Sequence, residues 1–314
     1  MTYDRLPEDA SSRYSSAALT KLARGLGDLE DLALTAEEQR REAMRRAVRM
    51  SIQGVQPKLS TRLAVRRGRF EIIDRGGTYI LKPQSQLYDR LPENEDLTMK
   101  LAAATGIQVP LHGLLWARDE SLTYFIRRFD RKGRGAKVAV EDFAQLSGRS
   151  RLTKYNSSME RVAAVIDRYC TFPSVEKLEL FRRTLFCYLT GNEDMHLKNF
   201  SLIDAEGIIK LAPGYDFVNT SIVLTGAREE FALPLRGKKR LLRREDLVGY
   251  WGRSRLELNE KTVSHVLQET ESGTEKWPRI IGRSFLPEEG KKAYLELFEQ
   301  RARVLFGGVY RRPR

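Results

Sequence analysis

Three oxygen-bearing side chains at fixed spacing limit what this chain can fold into. Asp194 is followed five residues later by Asn199, within Gly191-Asn192-Glu193-Asp194-Met195-His196-Leu197-Lys198-Asn199-Phe200, and a second acid lies in Tyr215-Asp216-Phe217. Between them, Phe200-Ser201-Leu202-Ile203 and Ile208-Ile209-Lys210-Leu211 flank Asp204-Ala205-Glu206-Gly207, which reads as a β-hairpin. Asn and Asp are also ordinary turn residues, so the spacing alone carries little. Its weight comes from context. An apolar helical pattern through Leu178, Phe181, Leu185, Tyr188 and Leu189 runs straight into Gly191, which gives the order helix, loop, hairpin, acid.

The chain has 314 residues, 41% hydrophobic and 31% charged, enough for a large core divided between two lobes and unlike a disordered polypeptide. No run of about eighteen apolar residues exists, so no membrane span is expected. Met1 to Asp9 is polar and acidic, which predicts no secretory leader. Cys170 and Cys187 sit among apolar residues without a CxxC, as expected of two reduced core thiols in a cytoplasmic protein. His112, His196 and His265 are too widely spaced for a structural zinc site. The net charge of +13 reads either as a solvated basic surface or as a footprint for a polyanion such as ATP, an acidic protein, DNA or tRNA. Its densest run is Arg236-Gly237-Lys238-Lys239-Arg240-Leu241-Leu242-Arg243-Arg244.

The pattern divides the chain into three parts. Residues 1–34 read as an extension of low structural content. Residues 35–135 form a small β-rich lobe. It opens with a capping box, Thr35-Ala36-Glu37-Glu38, and a charged helix to about Met50. Runs at 63–65 and 70–73 follow as a hairpin, then a Gly76-Gly77 turn and the strand Tyr79-Ile80-Leu81-Lys82. A helix over Glu93 to Thr105 ends at Gly106, and two strands at 114–116 and 122–126 close the lobe before the polar break Lys132-Gly133-Arg134-Gly135. Residues 136–314 form a larger helical lobe. One helix starts after Ser157, with Met159, Val162, Val165, Ile166 and Tyr169 on one face. A second, capped by Ser174, is apolar around much of its girth and should be buried. Beyond Glu245 the chain reads as mostly helical, and Leu286-Pro287-Glu288-Glu289 opens the last helix.

This order of pieces is that of a protein kinase active site. Asp194 would orient a substrate hydroxyl and accept its proton, while Asn199 and Asp216 would hold Mg²⁺, a cation that prefers oxygen ligands. Lys82, at the end of an apolar strand, stands where kinases keep the lysine for the α- and β-phosphates; a snorkelling strand-end lysine is the alternative. Glu95 is placed to pair with it, and Glu93 competes for that place. His196 is either a phosphate contact or a packing residue, and Lys198 can neutralise charge on the transferred group. Ser51-Ile52-Gln53-Gly54-Val55-Gln56-Pro57-Lys58 has one glycine and on composition is a turn, though its backbone N–H groups can cover phosphates. Arg127-Arg128-Phe129-Asp130 follows a strand as a hinge would: backbone groups for adenine, Phe129 to pack on the base, Asp130 for a ribose hydroxyl. An ordinary strand exit reads the same way.

Taken together, these segments resemble the HipA-like serine/threonine kinases of bacterial toxin–antitoxin modules. The resemblance rests on 51–58, Tyr79-Ile80-Leu81-Lys82-Pro83, Pro92-Glu93-Asn94-Glu95, Arg128-Phe129-Asp130-Arg131, Lys154-Tyr155, the 194–200 segment and Tyr215-Asp216, and covers about residues 35–305. It implies an α+β, bilobal, HipA-type fold, with three oxygen-bearing side chains converging on one magnesium nucleotide at the seam of the lobes. Only fifty residues precede Ser51 and they do not look like the N-terminal subdomain of full-length HipA, so the short HipT-like type of three-component systems is the nearer likeness.

The resemblance further implies that Gln53, Gly54, Val55, Gln56, Pro57 and Lys58 form the phosphate loop. Lys82, His196, Leu197, Lys198, Asn199 and Tyr215 would lie at the nucleotide, Arg127 to Asp130 at the base, and Asp216 with Asn199 on Mg²⁺. Glu95 would support Lys82. Ser51 matches the family's autophosphorylation position. Short members can carry Ser-x-Ser there; Ser51-Ile52-Gln53 predicts one site, with Ser60 a weaker candidate. The implied substrate is an aminoacyl-tRNA synthetase, tryptophanyl-type favoured. The implied partners are HipS-like and HipB-like antitoxin components, with DNA reached only through the latter. Two other readings compete: a catalytically weak kinase-fold regulator or DNA-binding partner module, against which the intact set Lys82, Asp194, Asn199 and Asp216 argues, and a small-molecule phosphotransferase.

Overall fold

The computed structural model describes residues 12–47, 56–133, 135–150, 153–224, 226 and 229–307. Ser51, Gln53, Gly54 and Val55 lie outside the described residues. The chain divides into two compact units, Met1–Asp96 with Pro110–Lys137, and Leu97–Val109 with Val138–Arg314.

The first unit begins with α1 (Ser16–Leu22), whose N-terminus is capped by the Ser15 hydroxyl accepting from the Ala18 N–H at 3.2 Å. Next is α2 (Ala36–Ala47), opened by the expected capping box: the Glu38 N–H donates to Thr35 Oγ1 and the Thr35 N–H to Glu38 Oε2. Five strands follow, β1 (Leu59–Ala64), β2 (Arg69–Ile72), β3 (Tyr79–Lys82), β4 (His112–Trp116) and β5 (Leu122–Arg127). They form one antiparallel sheet in the order β2-β1-β3-β5-β4, with β3 at its centre. The turn into β3 requires glycine, because a Cβ on Gly77 would stand 2.0 Å from Ser60 Oγ. The helix α3 (Leu91–Ala104) lies between β3 and β4 in the chain.

The start of the chain departs from expectation. Residues 1–34 read as an extension, yet Tyr14, Leu19, Leu22, Leu26, Leu29 and Leu32 are all buried, in one cluster with Leu59, Tyr79, Leu81, Leu115 and Phe125. Backbone bonds stitch the same segment down: Glu30 N–H to Gly68 O at 2.6 Å and Leu32 N–H to Trp116 O at 2.8 Å. The apolar residues are shared between a seven-residue helix and an irregular run, so no sustained period announces them.

In the second unit, after the small hairpin β6 (Arg131–Lys132) and β7 (Ala136–Lys137) of the first, β8 (Val140–Asp142), β9 (Ser201–Ala205) and β10 (Ile208–Leu211) pair in the order β10-β9-β8. The β9–β10 hairpin turns through Glu206 and Gly207, both at positive φ as a tight hairpin demands. Around it stand α4 (Phe143–Leu146), α5 (Met159–Tyr169), α6 (Pro173–Thr190), a π-helical stretch Glu245–Arg255, α7 (Glu260–Thr274), α8 (Trp277–Gly282) and α9 (Glu288–Phe306).

The helix α6 packs against α5, α7 and α9 and buries Leu180, Phe181, Leu185, Phe186, Cys187, Tyr188 and Leu189. Its cap is not Ser174. Pro173 takes the first helical position, where a missing N–H costs nothing, and Phe172 precedes it without a side-chain cap bond. The helix ends at Gly191 in the left-handed conformation (φ 67°), where a Cβ would stand 2.5 Å from Leu297 and 2.7 Å from Ser221 Oγ. Both cysteines are free and buried, and burial pushes the Cys170 thiol up to about 12. Among the described residues no helix is long and apolar enough to cross a membrane.

If the N-terminal segment is core, Leu22→Ala should destabilise the protein by about 2–5 kcal/mol, as at other buried leucines. Denaturant unfolding measures this; a loss of a few tenths would return the segment to the status of a loose extension.

Candidate active site

Within the first unit, Lys82 ends β3 at 3% exposure and its Nζ donates to Glu95 Oε1 on α3 at 2.5 Å. The pair is buried on both sides, with side-chain exposures of 4% and 1%. Glu93 is excluded from this place by helix geometry, since side chains two positions apart point about 200° apart. It accepts instead from Gln84 Nε2 at 2.8 and 2.9 Å and from Arg90 at 3.2 Å. Burial pushes the Glu93 carboxyl up, against these donors.

At the hinge, the N–H groups of Arg127 and Arg128 are committed to the carbonyls of Leu111 and Thr78 at 2.7 and 2.8 Å, so they are not available to a base. Asp130 is also occupied. Arg128 grips it with two bonds, Nε to Oδ1 at 2.9 Å and a terminal nitrogen to Oδ2 at 2.7 Å, and Arg131 adds a third at 2.6 Å. A ribose hydroxyl would have to compete with two guanidinium groups for that carboxylate. Burial by itself would raise the Asp130 carboxyl, but the Arg128 hydrogen bond and the charges of Arg128 and Arg131 hold it below the usual range. Arg127 is exposed and Phe129 half-buried. Of the expected phosphate loop, Gln56, Pro57 and Lys58 are described and half-buried, and the Nε2 atom of Gln56 is buried without a partner. Ser60 is 3% exposed within β1, which places its hydroxyl out of reach as a phosphorylation site.

Within the second unit, the loop after Gly191 is held by its own backbone. The Asp194 carbonyl accepts from the His196 N–H at 2.8 Å and from Asn199 Nδ2 at 2.7 Å, and the Asp194 N–H donates to Asn192 Oδ1 at 3.1 Å. Leu197 is fully buried and anchors the short 3₁₀ turn Leu197–Asn199 to the core. With its Nδ2 spent on that carbonyl, Asn199 has its oxygen left for another ligand. The Asp194 carboxylate is 48% exposed. Its Oδ1 accepts from the Tyr155 hydroxyl at 2.6 Å.

His196 is 4% exposed, and its Nε2 lies 2.6 Å from Lys154 Nζ and 3.9 Å from Asp194 Oδ1, while its Nδ1 is buried without a partner. Burial lowers its pKa, opposed by Asp194 and Asp216 and reinforced by Lys154, so the ring is neutral at neutral pH. Lys198 is paired with Asp142 Oδ2 at 2.8 Å; Asp142 Oδ1 caps α4. The Tyr215 hydroxyl lies 2.6 Å from Ser201 Oγ and donates to the Lys198 carbonyl at 3.1 Å, tying the strand exit to the loop; burial pushes this phenol up.

Asp216 has φ 55°, in the left-handed region that Asp enters more readily than most non-glycine residues. Phe217 beside it is fully buried. Asn199 and Asp216 offer neutral and anionic oxygens, the donor chemistry that Mg²⁺ takes, and such ions keep several waters rather than needing a full protein cage. Among the described residues no group of three or more His, Cys, Asp or Glu side chains gathers as a metal site.

The profile of the HipA-like C-terminal domain matches residues 50–277. The chain belongs to this family. A Haemophilus influenzae protein carrying a kinase name is 30% identical over 289 residues, covering 82% of each chain. The serine/threonine-protein kinase toxin HipA of Shewanella oneidensis is 28% identical over 195 residues, and the match spans 55% of this chain but only 44% of that relative. A kinase-named protein of Sinorhizobium fredii is 34% identical over 244 residues, with 59% of its length covered. Among solved structures, Shewanella HipA, in complex with HipB and operator DNA, superposes with a TM-score of 0.67 at 21% identity over 89% of this chain and 74% of that one. The Helicobacter pylori proinflammatory kinase CtkA gives 0.53 at 15% identity over 72% and 86%. The mixed α and β architecture is therefore that of HipA and CtkA, and the family is one of kinases.

Four neighbours of the predicted residues were not assigned roles from the sequence. Tyr155 and Lys154 meet Asp194 and His196 from about forty residues away, Asp142 holds Lys198 from across the sheet, and Asn192 fixes the Asp194 backbone. Lys154-Tyr155 stood out only as a family motif; no periodicity marks a contact of that separation.

Two outcomes follow from these geometries. Lys82→Met should cost about 3–5 kcal/mol by stranding Glu95, and Lys82→Met with Glu95→Leu should recover most of it, both measured by denaturant unfolding. Because the folded Asp130 pKa is depressed, its contribution is complete above the unfolded value of about 4 and is lost as pH falls through the folded value. Asp130→Asn should therefore flatten the acid limb of the stability–pH curve between about pH 5 and 2; an unchanged limb would show that the arginine clamp contributes nothing.

Proposed function

We propose that the chain is an ATP- and Mg²⁺-dependent serine/threonine protein kinase that acts as the growth-inhibiting toxin of a toxin–antitoxin module. The observation that carries this reading is the buried Lys82–Glu95 pair. Burying two charges is costly and replacing them with apolar residues is often neutral or stabilising, so stability does not account for the pair. A lysine held ready by a glutamate for nucleotide phosphates does, and kinases require that pair in place.

In this reading Lys82 takes up charge on the α- and β-phosphates. Asn199 Oδ1 and the Asp216 carboxylate hold Mg²⁺, which when bound neutralises the developing charge on the phosphates. Asp194, half-exposed on a loop fixed by its own carbonyl, orients the acceptor hydroxyl and takes its proton. His196, beside Asp194 in the loop, and Lys198, a cation paired with Asp142, are assigned to the transferred phosphate. The hinge serves adenine through groups other than the Arg127 and Arg128 N–H, and residues 53–58 cover the phosphates. Ser51 is the autophosphorylation site, where nearly two added negative charges would repel ATP and shut the enzyme off.

The substrate class is an aminoacyl-tRNA synthetase, tryptophanyl-type favoured. The partners are HipS-like and HipB-like components, as expected of the HipT-like type, with DNA approached through the HipB-like protein. The site of action is the cytoplasm. HipA's complex with HipB and operator DNA supports the antitoxin part of this reading, and the match of the sequence at 51–58 to the family's pattern supports the Ser51 part.

Purified chain, labelled ATP, Mg²⁺ and a mixture of synthetases test the proposal. Label should reach a synthetase, chelation of Mg²⁺ should stop it, and Asp194→Asn should lower transfer by about 10²–10⁴-fold. Ser51→Ala should keep the activity and lose the phosphate at residue 51. No label on any protein, with Asp194→Asn indistinguishable from wild type, would end the reading, and label moving to metabolites would turn it toward small-molecule phosphotransfer.

A further inference from the structure

The hydroxyl resting on Asp194 is the chain's own. Tyr155 donates to Asp194 Oδ1 at 2.6 Å, which is the distance and polarity of a nucleophile on its general base. Among the described residues it is the one side-chain hydroxyl on that carboxylate. The contact is half in water, with Tyr155 42% exposed and the Asp194 side chain 48% exposed, so its contribution to stability is small and does not explain its presence. The segment is registered against the catalytic loop in three further ways. The Leu197 N–H reaches the Lys154 carbonyl at 3.4 Å, the Tyr155 ring meets His196 edge-on at 5.0 Å between centres, and Lys154 Nζ stands 2.6 Å from His196 Nε2. Lys154 Nζ also stands over the Tyr155 ring, 4.8 Å from its centre, which keeps a cation near the phenol.

We propose that Tyr155 is a phosphoacceptor in cis, a tyrosine modification site served by Asp194 of the same molecule; this rests on the kinase reading above. The Tyr155 Oη–Pγ bond forms as the bond from Pγ to the β,γ-bridging oxygen of ATP breaks. The phenol proton passes to Asp194, ADP leaves with the electron pair of the broken bond, and nothing is oxidised or reduced. The product phosphate would lie against Lys154 and in front of the base, so a modified chain has its acceptor position filled by a dianion and turns over protein substrate poorly.

The test is phosphopeptide mapping of the purified chain after incubation with Mg²⁺ and ATP, with ADP release followed in parallel. Phosphate is expected on Tyr155, removable by a tyrosine-specific phosphatase, and absent from Asp194→Asn. Tyr88→Phe, an exposed tyrosine outside the site, should leave it in place. Because the contact is intramolecular, the first-order rate should not change over about a tenfold dilution, and isotope-labelled Asp194→Asn chains mixed with unlabelled wild-type chains should stay unmodified at Tyr155. ADP or phosphoserine formed without phosphate on Tyr155 would overturn the inference and leave the kinase reading standing. So would transfer onto Tyr155 of the Asp194→Asn chain, which would show a reaction between molecules. Neither ADP nor phosphate on any residue would remove both.

Discussion

A lysine and a glutamate occupy a place that water does not reach, and the first unit is organised around keeping them there. Lys82 sits on the central strand of the five-stranded sheet and Glu95 on the following helix, so their bond ties β3 to α3. The cost of desolvating both charges is offset only while the geometry is close. The neighbouring polar residues obey the same rule. Glu93 has Gln84 and Arg90, and Asp96 has His112 at 3.0 Å, all within a helical turn of Glu95. Four successive buried polar residues, Glu93 to Asp96, would be ruinous in a helix without such partners.

The second unit solves a different problem. Its Asp194 carboxylate is half-exposed while the loop that carries it is fixed in direction. The solution is to hold the backbone rather than the carboxylate. The Asp194 carbonyl takes two hydrogen bonds, Asn192 takes the N–H, and Leu197 drives the following turn into the core. Asp216 is fixed in another manner, by a left-handed backbone between Tyr215, whose hydroxyl reaches back to the loop, and the buried Phe217. A helix that ends abruptly at Gly191 is what delivers the loop to this position. The rigidity is inherited from α6, whose girth is buried almost throughout.

Membership in the HipA-like family places these two arrangements in a setting of named kinases, and the matches span from 82% of one relative's length to 44% of another's. Lys154-Tyr155, which the sequence offered only as part of the resemblance, touches both His196 and Asp194 in that loop. That contact links the Asp194 carboxylate to a segment 39 residues away in the chain.

Much of the architecture was legible without coordinates because it is local. Alternating apolar runs announced the strands, Gly207 the hairpin, Thr35 to Glu38 the helix start and Gly191 the end of the buried helix, since each depends on neighbours within a few residues. What sequence left open was decided by packing across long separations. Glu95 rather than Glu93 meets Lys82 because of helical phase against a strand thirteen residues away. Tyr14 to Leu32 is core because its scattered apolar residues fit a sheet formed later in the chain. Tyr155 reaches Asp194 because the fold closes a gap of 39 residues that no local pattern encodes. Hydrogen bonds within a turn are written into neighbouring residues; contacts between elements exist only once burial of apolar surface has brought those elements together.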